Sequence, residues 1–204
     1  MKKKFVLLTV LLLMIGISVW AADEEPYVVY NDGTLTFYCD NQRSSRGGTT
    51  YDLNVLWYSP DWLEYEEDIK KAIFDNSFTY ARPTTTNGWF AFCKSLTEIQ
   101  GINNLNTSEV TRMDLMLSEC SSLTSLDISN FDTKNVRTML GFFANCTSLA
   151  SIDVSNFDTS KLRNMENMFR NCEKLTSIDL TNVGSLLHRD LLDRWPKKVK
   201  SITL

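Results

Sequence analysis

The chain has 204 residues, of which 43% are hydrophobic and 23% are charged, with 8 glycines and 4 prolines. This profile excludes a disordered, collagen-like or multi-span membrane protein and is typical of a soluble globular chain. Five cysteines are too few for a disulfide-dense miniprotein, and their odd number excludes complete internal pairing. The net charge is −4, and the single histidine, His188, leaves little scope for metal or triad chemistry.

The first 21 residues are predicted to be a secretory signal peptide. Three lysines at 2–4 precede an apolar run at 5–20, and Val19 and Ala21 would occupy positions −3 and −1 of the cleavage site. An uncleaved membrane anchor is the alternative, but the run is shorter than the roughly 20 residues that span a bilayer. The predicted location is therefore outside the cytoplasm: secreted, periplasmic or at the cell surface.

Cleavage would also change the charge of the product. It removes three lysines and no acidic residue, so the net charge goes from −4 to −7. An acidic product offers nothing that would attract a nucleic acid or an anionic membrane surface. We therefore expect no nucleic-acid partner and no stable membrane span after cleavage.

A repeat of 26 residues occupies more than half of the chain. Cys120, Cys146 and Cys172 lie 26 residues apart, and Cys93 precedes Cys120 by 27. Each of the last three cysteines begins the pattern C-x-x-L-x-x-[LI]-D-[LIV]-[ST]-N. A repeat of this length cannot bury its apolar face alone, so it predicts a stacked solenoid of about five to six rungs over 69–204.

Each unit is predicted to be a strand, a tight turn and a short helix. Residues 125–129 alternate polar and apolar side chains, which is typical of a strand with one buried face. Asp132 and Thr133 follow as candidate N-cap residues, and 135–145 carry an apolar stripe at three- and four-residue spacing. The predicted fold class is an α/β repeat solenoid, with one parallel sheet backed by short helices.

The four cysteines of the repeat are interpreted as one column of the core. Cysteine is a small apolar residue that is often fully buried, and Cys93, Cys120, Cys146 and Cys172 occupy equivalent positions. Disulfides between neighbouring rungs are the alternative, since adjacent strands lie about 5 Å apart. Side chains in one column point the same way, however, which suits stacking better than the disulfide dihedral. Cys39 lies outside this column.

The region 22–68 is not part of the repeat and is predicted to be a β-rich N-terminal cap. Segments 27–30 and 34–38 flank an Asn-Asp-Gly sequence, which indicates a hairpin. A loop is predicted at 43–50 and a further strand at 51–58. Since a terminal repeat needs its open core covered, capping is the simplest role, and a separate ligand site here is the alternative.

One patterned polar surface stands out on the outer face of the predicted sheet. It comprises Ser125, Asp127, Ser129, Ser151, Asp153, Ser155, Ser177, Asp179 and Thr181. This acidic strip could receive a basic protein patch or a hydroxyl-rich ligand; the alternative is a solvated face that keeps the sheet soluble. A parallel column of Asn130, Asn156 and Asn182 is predicted to hydrogen-bond the turns and so to be structural.

The amino-acid sequence of the repeat resembles the BspA-like leucine-rich repeats of bacterial surface and secreted proteins. The match lies in LDISNFDT at 126–133 and MFRNC at 168–172, and a close variant occurs in mycoplasma surface lipoproteins. The resemblance implies a leucine-rich-repeat-like solenoid, export, and a role in adhesion or host contact. It implies no catalytic site.

The sequence carries no motif for catalysis or for cofactor binding. It lacks a Gly-rich phosphate loop, a zinc-spaced Cys/His cluster and a nucleophile elbow. We therefore predict no cofactor, no metal and no enzymatic activity; reactive thiols, above all Cys39, would be the one support for an enzyme.

The leading hypothesis is a non-catalytic module that binds protein or glycan. The alternative is self-association through the edge of the last strand, which ends at Leu204.

Overall fold

The computed structural model describes residues 25–53, 59–179 and 201–203. The predicted signal peptide, residues 54–58 of the strand predicted at 51–58, Thr181, His188 and Leu204 lie outside the described residues. The strands are β1 Tyr27–Asn31, β2 Thr34–Tyr38, β3 Thr49–Asp52, β4 Lys71–Phe74, β5 Glu98–Gln100, β6 Ser177–Asp179 and β7 Ser201–Thr203. Short 3₁₀ helices occupy Arg43–Ser45, Asp61–Tyr65, Asn76–Tyr80 and Ile102–Asn104.

The first sheet joins the N-terminal region to the first repeats. Its strand order is β3-β1-β2-β4-β5, with antiparallel pairing of β1 to β2 and β3, and parallel pairing of β2 to β4 and of β4 to β5. The sheet therefore crosses the predicted boundary at residue 68 without a break. The boundaries 1–21, 22–68 and 69–204 themselves stay a prediction.

The predicted hairpin is confirmed, and its turn explains its register. Asn31 pairs with Thr34, so Asp32 and Gly33 form the two-residue loop with φ values of 44° and 74°. Positive φ at both positions is typical of a type I′ turn, whose twist matches that of the flanking strands. The next strand begins at Thr49, inside the segment predicted as a loop, because Gly48 packs against the Tyr30 carbonyl and brings the chain alongside β1.

The repeats stack in parallel register. Isolated bridges link Thr85 to Arg112, Arg112 to Thr138, and Thr138 to Asn164. They lie in four equivalent stretches that we call the turn segments: 84–93, 111–120, 137–146 and 163–172. At the far end β6 pairs in parallel with β7, which places Ile178 opposite Ile202 as the repeat offset predicts.

The predicted short helices are wrong: no α-helix occurs in the described parts of the chain. In the segment predicted to be helical, the N–H groups of Met139 and Gly141 donate to Asn164 and Glu166 of the next repeat, at 2.8 and 2.9 Å. The N–H of Phe142, the residue after Gly141, donates back three residues to the Met139 carbonyl. An α-helix would keep all of these bonds within the segment, from residue i to i−4.

Backbone conformation explains why the turns replace a helix. Each turn segment carries two residues with positive φ, four positions apart: Gly88 and Phe92, Leu115 and Glu119, Gly141 and Asn145, Asn167 and Asn171. A positive φ interrupts a right-handed helix and turns alternate N–H groups toward the neighbouring repeat. The layer behind the strands is therefore built from hydrogen-bonded tight turns.

The strand predicted at 125–129 also forms no regular ladder, although its alternation is confirmed. Ile128 is buried and Leu126 is half-buried, while Asp127 and Ser129 are exposed. A backbone hydrogen bond from Ala150 to the Thr124 carbonyl, at 3.1 Å, joins two repeats at the start of this stretch. The apolar side chains face inward as predicted, with fewer inter-strand hydrogen bonds than a sheet requires.

One hydrophobic core runs through the described residues from Val28 to Ile178. At its N-terminal end, Phe37 of β2 stacks on Phe74 and Trp89, with ring centroids 4.5 and 5.2 Å apart. Trp62 meets Phe37 edge-on at 5.8 Å and donates its indole N–H to the Trp89 carbonyl at 2.8 Å. The N-terminal region thus covers the aromatic end of the first repeat.

Candidate functional site

The outward side chains of the first sheet continue the columns of the repeat. Parallel pairing places Thr36 beside Ile73 and Ile73 beside Gln100 on one face. Asp127 follows Gln100 by 27 residues and Asp153 follows Asp127 by 26, which are the repeat offsets. One outward column therefore begins on the hairpin and ends among the predicted binding residues.

The term polar face is used for the nine predicted residues, Ser125, Asp127, Ser129, Ser151, Asp153, Ser155, Ser177, Asp179 and Thr181. The structure places Ser155 half-buried and leaves Ser125, Asp127, Ser129, Ser151, Asp153 and Ser177 exposed. The Asp179 side chain and Thr181 lie outside what the structure describes. That the polar face binds a ligand stays a prediction.

Each described aspartate of the polar face closes a small turn. Asp127 Oδ1 accepts the backbone N–H of Ser129 at 3.0 Å, and Asp153 Oδ1 accepts that of Ser155 at 2.9 Å. These Asx turns hold both carboxylates in one orientation. Hydrogen bonds from the Ser129 backbone and hydroxyl lower the pKa of Asp127 from its ordinary value, because they favour the charged carboxylate.

The two described members of the asparagine column, Asn130 and Asn156, are structural as predicted, while Asn182 lies outside the described residues. The Asn130 carboxamide donates to the Ile102 and Leu105 carbonyls of the preceding repeat, both at 3.2 Å. The Asn156 carboxamide donates to the Phe131 carbonyl at 3.1 Å. The Ile102 carbonyl also accepts the Leu105 N–H, whereas among the described residues the Leu105 and Phe131 carbonyls accept no backbone N–H and are satisfied by these bonds.

A column of buried threonines was missed by sequence reasoning. Thr133 Oγ1 donates to the Asp158 carbonyl at 3.1 Å and accepts the Asp158 N–H at 2.8 Å. Thr107 makes the same pair of bonds to Asp132. The predicted N-cap role is wrong because no helix follows: the side chain of Asp132 accepts the Lys134 N–H in an Asx turn. The recurrence of threonine after Asp or Asn once per repeat is the sequence pattern that could have indicated this column.

A second polar ladder runs along the turn segments. Asn145 donates to Glu119 Oε1 at 2.6 Å and accepts from the Asn171 amide at 2.7 Å. All three residues have positive φ, between 57° and 65°. Asparagine tolerates this conformation better than most residues. The ladder therefore adds side-chain hydrogen bonds at the second positive-φ residue of these turn segments.

The cysteine column consists of buried free thiols. The Sγ atoms of Cys120, Cys146 and Cys172 each donate to a carbonyl of the preceding repeat, at 3.1 Å. All five cysteines, Cys39 included, are unpaired by disulfides and buried. Burial raises the pKa of the Cys172 thiol to about 12 and raises that of Cys93 above its ordinary value as well.

The raised pKa values of the cysteine column, together with the burial of all five cysteines, predict slow reaction with alkylating agents. Because the thiolate is the reactive form, we expect no fast labelling of the native full chain by iodoacetamide at pH 8, and complete labelling in guanidinium chloride. Labelled sites are identified by mass spectrometry after digestion. Fast labelling of Cys39 in the native state would contradict this prediction and would favour an enzyme instead.

The described residues contain neither a candidate metal site nor a candidate membrane-spanning helix. Among the described residues, no group of three His, Cys, Asp or Glu side chains could hold a metal ion. The same residues include no helix of the length and apolar character needed to cross a membrane.

Comparison with known proteins places the repeat in a family. Residues 84–188, about half of the chain, match the family described as "Mycoplasma protein of unknown function, DUF285". The chain therefore belongs to this family. The match agrees with the resemblance to mycoplasma proteins inferred from the repeat text, while the 26-residue variant stays a prediction.

The structure is also similar to the crystal structure of a leucine-rich repeat protein of T. pallidum, TpLRR. The two chains share 16% sequence identity, and the match covers 78% of this chain and 70% of that one, with a TM-score of 0.41. No curated protein matches the sequence.

Proposed function

We propose that this chain is an exported, non-catalytic interaction module that binds a protein or glycan partner through the polar face. The observation that carries the proposal is the pair of exposed carboxylates, Asp127 and Asp153, one repeat apart and each fixed by an Asx turn. Carboxylates held in one orientation lose little conformational freedom on binding. Serine hydroxyls beside them can donate or accept hydrogen bonds.

The charge of the polar face favours a basic partner. The lowered pKa of Asp127 favours its charged form, and opposite charges on a partner would steer and orient its approach. Adhesion or host contact is the biological role that the family resemblance suggests for such a module.

A pair of charge-matched variants tests this proposal. The full chain is immobilised and screened against extracellular-matrix proteins, glycans and bacterial envelope fractions. The double variant Asp127→Asn, Asp153→Asn should bind the captured partner with an affinity at least about ten-fold lower. Glu109→Gln with Glu173→Gln removes the same charge from exposed positions outside the polar face and should change affinity by less than about two-fold.

Two outcomes would contradict the proposal. One is an equal loss of affinity in both pairs of variants, which would mean that net charge alone drives binding. The other is unchanged affinity in the Asp127 and Asp153 variant, which would remove the claim for this face.

Self-association is the second candidate function. Within the described residues, β7 pairs on one side with β6 and lies at the edge of its two-stranded sheet. An edge strand offers backbone groups to a further strand from a second copy. Light scattering of the full chain tests this, because a monomer at all concentrations would reject it.

A further inference from the structure

A cleft lies on the outer face of the N-terminal hairpin, at the end of the outward column opposite to the polar face. It has a volume of about 430 Å³, and its lining includes Val29, Asn31, Thr34, Thr36, Tyr38 and Arg46. This is within the range of roughly 300–1,000 Å³ that small-molecule sites occupy.

The cleft forms because the loop after β2 folds back over the outer face of the sheet. Gly48, with φ of 105°, packs so closely on β1 that a Cβ atom there would lie 2.4 Å from the Tyr30 carbonyl oxygen. Only glycine fits this approach. The loop thus forms one wall of the cleft, and strand β2 forms the floor.

Arg46 is held rigidly at this wall. Its Nη2 donates to Asp40 Oδ2 at 2.6 Å, its Nε lies 3.4 Å from the Tyr27 hydroxyl, and its guanidinium carbon is 3.7 Å from the Tyr38 ring centroid. Tyr27 in turn donates to Asp40 at 2.6 Å, and burial together with this bond raises its pKa to about 12. The guanidinium is therefore preorganised and its charge is balanced by Asp40.

Hydrogen-bonding groups of the cleft remain available. Among the described residues, no partner accepts from Arg46 Nη1, and the hydroxyls of the half-buried Thr34 and Thr36 make no hydrogen bond. The Asn31 carboxamide adds a donor and an acceptor at the rim. Val29, which pairs with Thr36 and is 5% exposed, presents a small apolar surface beside them.

These features select one class of ligand. An anion gains little from a guanidinium that Asp40 already neutralises, and the Asp32 carboxylate at the rim would repel it. An apolar ligand would bury the free threonine hydroxyls without partners. A sugar ring has hydroxyls that both donate and accept and C–H faces that pack on apolar atoms.

We propose that this cleft is a second binding site, which takes a neutral saccharide of one or two rings. The proposal does not depend on the polar face, since none of its residues lines the cleft. Thr34 and Thr36 hydrogen-bond the sugar hydroxyls, Arg46 donates through Nη1, and Val29 contacts a C–H face.

The test is a titration of the full chain, followed by NMR, with glucose, galactose and N-acetylglucosamine, and with inorganic phosphate and benzoate as comparisons. At least one sugar should bind saturably with a Kd of about 1 mM, and phosphate and benzoate should bind more weakly. Thr36→Val, which keeps the shape and removes the hydroxyl, should weaken sugar binding about three- to ten-fold. Thr36→Ser should restore it.

Thr50→Val is the matched control. Thr50 of β3 is half-buried and pairs with Val29 from the opposite side, outside the cleft lining. This variant should bind sugar like the unchanged chain. The absence of saturable sugar binding, tighter binding of phosphate or benzoate, or an equal loss in the Thr36→Val and Thr50→Val variants would overturn the proposal.

Discussion

Replacing Trp62 with alanine is expected to lower the free energy of unfolding by about 3–5 kcal/mol, the range for deleting a buried aromatic side chain. Trp62 is fully buried and meets the rings of Phe37 and Trp89 edge-on. The substitution opens a cavity between the N-terminal region and the first repeat. It also removes the indole donor of the Trp89 carbonyl. Chemical denaturation followed by fluorescence measures the loss.

Two variants show whether the cause is this packing. Trp62→Phe keeps an aromatic ring and should recover most of the lost stability, with a remaining cost of about 1–3 kcal/mol for the unpartnered carbonyl. Tyr80→Ala truncates an aromatic ring that is 56% exposed and should cost less than about 1 kcal/mol. Equal losses from Trp62→Ala and Tyr80→Ala would contradict a shared core at this junction.

Replacing Thr133 with valine is expected to cost about 1–3 kcal/mol of stability. Valine has nearly the same shape, so the cavity term is small. Thr133 Oγ1 binds both the carbonyl and the N–H of Asp158, and the threonine is 2% exposed. The substitution removes two hydrogen bonds within the protein, each worth about 0.5–1.5 kcal/mol net.

Matched threonine variants isolate this effect. Thr133→Ser keeps the hydroxyl and should retain most of the stability. Thr124→Val changes an exposed threonine and should alter stability by less than about 0.5 kcal/mol. Amide hydrogen exchange adds a local readout: Thr133→Val should speed the exchange of the Asp158 N–H more than that of Asp132. A uniform change at both amides would contradict a direct bond.

Features with short-range causes could be predicted from the sequence. The hairpin follows from Asp32-Gly33, which adopts the positive φ values of its turn, and this information lies within four residues. The burial of the cysteine column follows from its 26-residue period and from the small apolar character of the side chain. The period also located the outward column of Asp127 and Asp153.

The helical layer could not be excluded from the sequence. Val136, Met139 and Phe143 recur at spacings of three and four, which fit one face of a helix and equally a chain of tight turns. What decides between them is the set of hydrogen bonds from each turn segment to the next repeat, about 25 residues away. Bonds at that distance leave no local signature in the pattern.

The candidate sites show the same limit. The alternation around Asp127 predicted its exposure, and the Asp-x-Ser spacing is compatible with the Asx turn that orients it. The cleft beside Arg46 depends on a loop that folds back on a sheet, so its lining residues are brought together by tertiary structure. Sequence reasoning located a ligand site in this region only as an alternative.

Successive repeats are joined by hydrogen bonds between turn segments, which hold the outward columns in register. Scalar couplings through hydrogen bonds, measured by NMR on the full chain, test this most directly. We expect couplings from the amide nitrogens of Met139, Gly141 and Phe143 to the carbonyl carbons of Asn164, Glu166 and Met168. Couplings from the same nitrogens to carbonyls four residues earlier in their own segment would show a helix and contradict it.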